Sequence, residues 1–295
     1  MIYDTIIIGS GPAGMTAGVY SARAGKKVLI FEANVVGGQI VNSPLVENFP
    51  SIYQISGEEL GFNMFNQCQN LNIDFEFEKV VKIVDGDIKE VFTENNVFKT
   101  KTIIIATGVK PRRLNIEKEE DFLGKGVGYC VLCDGENYRN KVVGIVGGGN
   151  TAVQNAIYLS NICAKVYIFQ NLEDLTAEKT LIEKLQNKNN IEIICSCNVV
   201  ELIGHDCLEK VKLNNSQEIE LSGLFVSIGQ IPNNELFVNW LDVDSYGYCI
   251  TNENCETNKR GVFCIGDIRS KNIRQLTTAV ADGTIASVFA NKYTD

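Results

Sequence analysis

The chain has 295 residues, 45% apolar and 21% charged, the balance of a folded globular protein with room for two domains, which excludes a disordered or low-complexity chain. A net charge of −9 speaks against non-specific nucleic-acid binding, because phosphate contacts need a basic surface. The 10 cysteines are not a small secreted disulfide scaffold, since the chain is long and its core composition normal.

Met1-Ile2-Tyr3-Asp4 runs straight into a strand pattern, with neither the basic start nor the small-residue cleavage site of a leader. No apolar run approaches the roughly 18 residues of a membrane span. The expected compartment is the cytoplasm, where thiols stay reduced and a disulfide is a working one.

Residues 5–8, Thr-Ile-Ile-Ile, form a continuous apolar run, the mark of a strand buried on both faces of a parallel sheet. A Gly-rich turn and a helical stretch through Ala24 follow, then a second buried strand at 27–32. That is a βαβ unit. The pattern returns with a strand at 141–146, a turn at Gly147-Gly148-Gly149, a helix at 150–161 and a strand at 165–169. Further strands are expected at 102–106, 191–195, 223–228 and 262–265. The prediction is an α/β fold of two Rossmann-like dinucleotide-binding domains, the second inserted into the first. Residues 1–114 and 245–295 would form one domain and 115–244 the other.

Gly9-Ser10-Gly11-Pro12-Ala13-Gly14 is G-x-G-x-x-G placed between a strand and a helix. The first Gly permits the tight turn, the second lets the backbone approach a pyrophosphate, and the third lets helix and strand pack closely. The pyrophosphate then meets the helix N-terminus. Glu32 ends the next strand, where a carboxylate binds ribose hydroxyls. Gly266-Asp267 follows a second apolar strand, and flavoproteins of this design use such an Asp on the ribityl chain. Ala106-Thr107-Gly108 resembles a third flavoprotein signature. The three together select FAD for the first domain.

Tyr129-Cys130-Val131-Leu132-Cys133-Asp134-Gly135 holds a C-x-x-C pair. Its spacing brings two sulfurs within disulfide reach and lowers the pKa of one thiol. A zinc site would need a second pair. Cys195-Ser196-Cys197 has the wrong spacing and His205 is the single histidine, so no metal is expected.

With Val146-Gly147-Gly148-Gly149-Asn150-Thr151-Ala152 after it, this segment resembles the low-molecular-weight thioredoxin reductase family over the whole chain. Gly37-Gly38-Gln39 and Glu47-Asn48-Phe49-Pro50 match the family's flavin loops. Arg274-Gln275-Leu276-Thr277-Thr278-Ala279 matches its C-terminal flavin signature. The resemblance implies a redox relay in a homodimer. FAD passes electrons to the disulfide through Cys133, Cys130 attacks the disulfide of thioredoxin, and Asp134 protonates the leaving thiolate. The inserted domain is then expected to rotate.

One departure stands out. The family places a His-Arg-Arg-x-x-x-Arg stretch after the second strand of the inserted domain, where its arginines clamp the 2′-phosphate of NADPH. Here that place reads Gln170-Asn171-Leu172-Glu173-Asp174-Leu175-Thr176. Like charge beside a phosphate weakens binding. The expectation is therefore the ferredoxin-dependent subgroup, with NADH or NADPH as the alternative donor and another thioredoxin-like or glutaredoxin-like protein as an alternative acceptor. A ferredoxin near −400 mV against thioredoxin near −270 mV leaves about 130 mV, roughly 6 kcal/mol for two electrons. An acidic ferredoxin needs a basic dock, and two clusters are candidates: Lys110, Arg112 and Arg113, or Arg269, Lys271 and Arg274.

Overall fold

The computed structural model describes residues 1–43 and 46–294. The chain divides into two compact units. The first holds Met1–Ser43, Phe49–Lys110 and the chain from Ile231 onward; the second holds Pro111–Gln230 and the short segment ending at Asn48.

The first unit opens with β1 (Ile2–Ile8), α1 (Pro12–Arg23) and β2 (Val28–Phe31). The next elements are α2 (Gly57–Asn70), β3 (Asp74–Glu76), β4 (Lys82–Val84), β5 (Lys89–Phe92), β6 (Val97–Ile105) and β7 (Val109–Pro111). β1 lies parallel between β2 and β6, with Ile6 beside both Leu29 and Ile103. Strand alternation sorts the apolar run. Ile7, Ile30 and Ile104 join one buried cluster, while Ile6, Ile8, Leu29 and Ile105 join another. Both faces of the sheet are therefore covered, as the unbroken apolar run required.

The second unit carries β8 (Val127–Gly128), α3 (Val131–Asp134), β9 (Val142–Val146), α4 (Asn150–Ser160), β10 (Lys165–Phe169), α5 (Lys179–Gln186) and β11 (Ile191–Ile194). A three-stranded antiparallel sheet follows, β12 (Val199–Gly204), β13 (Leu208–Leu213) and β14 (Glu218–Glu220), and β15 (Gly223–Val226) completes the unit. The parallel sheet runs β11-β10-β9-β15-β8.

The chain returns to the first unit through β16 (Gln230–Pro232), which pairs with β7. β17 (Val262–Cys264) adds to β6, and α6 (Leu276–Thr294) closes the chain. The chain leaves the first unit after Lys110 and re-enters it at Ile231, earlier at both points than the expected 114 and 245. Residues 231–244 stay with the first unit because Phe237 and Leu241 are buried in its core and Asn233 is bonded to Thr107.

Gly14 shows how closely α1 and β1 meet. A Cβ there would lie 2.0 Å from the Gly9 carbonyl oxygen, a backbone atom with no room to yield. Gly14→Ala is expected to lower the melting temperature by several degrees, in line with overpacking costs of about 1–3 kcal/mol, read by differential scanning calorimetry.

Candidate functional site

Cys130 leaves the end of β8 in extended conformation and caps α3. It is disulfide-bonded to Cys133, with Cα atoms 5.2 Å apart. The Cys133 amide donates to Cys130 Sγ at 3.2 Å. That N–H stands ready to stabilise a thiolate on Cys130 once the disulfide opens. Asp134 follows directly, and its Oδ2 lies 3.5 Å from where a Cβ of Gly128 would stand. Burial, reinforced by the charge of Asp134, pushes the Tyr138 hydroxyl up to about 12. All three predicted redox residues thus sit on one turn.

The sequence reading missed Glu119. It is buried, and it accepts from the Leu114 and Asn115 amides at 2.9 Å and from the Tyr129 hydroxyl at 2.7 Å. Burial, then this carboxylate, raises the Tyr129 hydroxyl well above its ordinary value. The residue before Cys130 is held as a neutral donor. The other thiols differ. Burial pushes Cys68 up to about 12 and Cys163 and Cys255 up to about 11, so they stay protonated near neutrality.

In the first unit the glycine turn is built as its spacing implied. Gly9 has a φ of +109°, and a Cβ there would lie 2.4 Å from the Ala106 carbonyl oxygen. Gly11 differs: the nearest atom to its would-be Cβ is 4.0 Å away, so local packing does not explain the glycine. Backbone approach by a ligand does. Pro12 opens α1, no side chain caps its N-terminus, and Ala13 follows at the same end. Glu32 is buried and takes the Ser10 amide at 2.9 Å and hydroxyl at 2.7 Å on one oxygen, and the Asn34 amide on the other. It therefore braces the turn. Gly38 packs against Gly11, and Gln39 donates its side-chain amide to the Val109 carbonyl.

Ala106-Thr107-Gly108 is pinned by Asn233, another residue the sequence reading missed. The Thr107 hydroxyl donates to the Asn233 carbonyl and the Asn233 side chain to the Thr107 carbonyl, both at 2.8 Å. The Pro232-Asn233 pair at the end of β16 was the available signal. Arg274 donates to the Asp267 carbonyl at 3.1 Å, and Gln275 accepts the Ala279 amide at the start of α6. Asn48, also expected at the flavin, lies outside the first unit. It groups with the second unit, where its side chain donates to the Leu132 carbonyl at 3.3 Å.

A family model described as pyridine nucleotide-disulphide oxidoreductase matches residues 3–283. The chain belongs to that family. Within it, the chain falls among the low-molecular-weight thioredoxin reductases. It is 39% identical to the thioredoxin reductase of Mycoplasma genitalium, over 97% of this chain and 93% of that one. It is 42% identical to a "34.2 kDa protein in rubredoxin operon" of Clostridium pasteurianum, over 98% and 96%. The crystal structure of thioredoxin reductase from Streptococcus pyogenes superposes with a TM-score of 0.95 at 38% identity, covering 99% of this chain and 98% of that one.

FAD is the cofactor of the family, this chain included. The first unit fits it. Asp267 Oδ1 is buried and has no hydrogen-bond partner, an acceptor suited to a hydroxyl of the ribityl chain. The open flank of Gly11 and the uncapped N-terminus of α1 suit the pyrophosphate.

The ferredoxin-dependent subgroup finds no support in the comparisons. The family model is that of pyridine nucleotide enzymes, and the comparisons favour a nicotinamide donor over ferredoxin. The second of the two expected docking clusters is also largely engaged. Arg269 and Lys271 are ion-paired with Asp282 at 2.9 and 2.8 Å, with 14% and 13% of their side chains exposed. Arg274 lies over the Tyr248 ring at 4.0 Å, and Arg113 pairs with Glu120. Arg269, Lys271 and Arg274 held this way do not make a basic dock, whereas Lys110, Arg112 and Arg113 are exposed.

The second glycine turn keeps its shape, with a φ of +128° at Gly147. Gln170 directly follows β10 as Glu32 directly follows β2. It is buried, its side-chain nitrogen donates to the Asp174 carbonyl at 3.1 Å, and a Cβ on Gly148 would lie 2.4 Å from that nitrogen. Asn171, Glu173, Asp174 and Thr176 are exposed, so this edge presents carboxylates and no cation.

Proposed function

We propose that the protein is a thioredoxin reductase that takes electrons from a reduced nicotinamide nucleotide and delivers them to the disulfide of thioredoxin through Cys130 and Cys133. The observation carrying this reading is the Cys130–Cys133 disulfide at the mouth of α3, followed by Asp134, in a chain with two dinucleotide folds. Bound FAD supplies a two-electron couple that reduces this disulfide. Cys133 is the thiol assigned to the flavin side and Cys130 the thiol that attacks the partner.

The exchange balances. Cys130 thiolate attacks one sulfur of the thioredoxin disulfide, forming a mixed disulfide and releasing a thiolate. Asp134 is assigned to carry the proton to that leaving group. Cys133 then attacks Cys130 Sγ, the protein disulfide returns, and dithiol thioredoxin leaves. The Cys133 N–H on Cys130 Sγ supports the choice of Cys130, because it favours the charged nucleophile. Cytoplasmic location and a homodimer belong to the same reading, through the family resemblance.

An anaerobic mixing experiment tests the donor. The purified flavoprotein is combined with NADPH, NADH or a reduced ferredoxin, and loss of the yellow flavin band is followed with time. Rapid bleaching by a nicotinamide nucleotide is expected. Without a cation at Asn171–Thr176, saturation by NADPH should need a high concentration. Bleaching by ferredoxin alone would overturn the donor. Reduction of a glutaredoxin-like protein in preference to thioredoxin would overturn the acceptor.

A further inference from the structure

Asp282 is charged, nearly buried and so far without a role. It stands on α6 with 9% of its side chain exposed. Oδ2 accepts from the Gly266 amide at 3.0 Å and from Lys271 Nζ at 2.8 Å. Oδ1 accepts from Arg269 Nη1 at 2.9 Å. One carboxylate thus holds the start of the Gly266–Ile268 turn and the two cations just beyond it.

That turn carries Asp267, and it lies against the first glycine motif. A Cβ on Gly266 would sit 3.0 Å from Ala13 Cβ. A Cβ on Gly283, the residue after Asp282, would sit 2.4 Å from the Ala13 carbonyl oxygen. Asp282 therefore joins three pieces: α6, the Asp267 turn and the glycine turn at the head of α1. Other bonds fix the same turn. Arg274 donates to the Asp267 carbonyl at 3.1 Å, and the Cys249 amide donates to the Ile268 carbonyl at 3.0 Å.

Holding Gly266 does not require a charge, since an asparagine oxygen accepts the same amide. A buried ion pair is also weak evidence for stability, because desolvation cancels much of the Coulomb gain. What the charge does is electrostatic. Asp282 offsets part of the positive charge of Arg269, Lys271 and Arg274 around the Asp267 turn, in a place with little water to screen it. A flavin gains negative charge as it is reduced, so fixed charges nearby set how readily that happens.

We propose that Asp282 is a positioning residue for the flavin: through Gly266, Arg269 and Lys271 it fixes the Asp267 turn and sets the charge that governs how readily the flavin is reduced. This rests on FAD as cofactor and not on the identity of donor or acceptor.

The test titrates the holoenzyme anaerobically with dithionite beside a reference dye and reads the equilibrium between oxidised and reduced flavin. Asp282→Asn keeps the oxygen that faces Gly266 and removes the negative charge. It should move the equilibrium toward reduced flavin by at least about threefold. Lys271→Met removes a cation on a side chain of similar length and should move it toward oxidised flavin by a similar factor. A tenfold change corresponds to about 30 mV for two electrons. A merely structural clamp would lower the melting temperature of both variants without moving the equilibria in opposite directions. Should Asp282→Asn not fold, Lys271→Met decides alone. Equilibria within about 1.5-fold of wild type, or shifts of the same sign in both variants, would overturn the proposal. Since dithionite replaces the physiological donor, a wrong donor assignment leaves this result unaffected.

Discussion

Cys130→Ser is expected to stop thioredoxin reduction while the flavin still bleaches with its donor. The fold should survive, because Cys130 is half-buried and a serine oxygen can accept the Cys133 amide that Cys130 Sγ accepts at 3.2 Å. The nucleophile does not survive. A serine hydroxyl without an adjacent base is not ionised near neutrality, whereas a thiol at a helix start is readily a thiolate. The expected loss in turnover is at least about a thousandfold, the scale seen when a covalent nucleophile is removed. Two readouts check it: thiol formation on thioredoxin at steady state, and the flavin absorbance after donor addition. With no disulfide to receive electrons, the bleached state should persist. Thioredoxin turnover above about 1% of wild type would show that Cys133, or another thiol, makes the attack.

The second large effect concerns Asp267. Burial raises its carboxyl above the ordinary range; Lys271 and Arg274 pull it down, and Asp282 pushes it up. A folded value above the unfolded one means that the folded state holds the proton more tightly. The stability contributed by that proton is fully present below the unfolded value, about 3.9, and is lost as pH rises through the folded value. Once that carboxyl has lost its proton, the buried charge is a local burden on the protein without flavin, made worse by an Oδ1 that lacks a partner. Asp267→Asn removes the charge. The flavin-free protein should melt at a higher temperature at pH 7 than wild type, with a smaller loss of stability as pH rises. FAD should bind about tenfold or more weakly, since a hydrogen bond to a charged group is replaced by one to a neutral amide. Thermal melts with and without FAD across pH 4–8 read both effects. An unchanged or lower melting temperature for the flavin-free variant would contradict the account. Strain of this kind at a ligand site is a stability–function trade-off.

Much of the plan was legible in the chain. Continuous apolar runs such as 102–105 and 142–146 announce strands buried on both faces, and glycines between such a strand and a helix have few other uses. Both βαβ units therefore stand where their patterns lie. The antiparallel strands β12–β14 gave a weak signal, because short half-exposed strands mix apolar with charged residues, as in Leu208-Glu209-Lys210-Val211. The return into the first unit was placed late because 231–244 carries no strand-length apolar run. What keeps it there is Phe237 and Leu241 in the core and Asn233 on Thr107, contacts between residues far apart in sequence.

The Cys130-x-x-Cys133-Asp134 motif, the glycine turn and Asp267 were set by the sequence alone, because each works through local spacing and backbone conformation. The missing arginines after β10 were equally visible, since charge is written in composition. Only the tertiary structure decided what the remaining charges do. Arg269 and Lys271 looked like a basic patch and are instead largely covered and ion-paired with Asp282, a residue on another element. Glu119 carries no motif in the sequence and is a buried anchor for Tyr129. The physical reason is common to both. A charged side chain is defined by its partners and its burial, and these come from folding distant segments together.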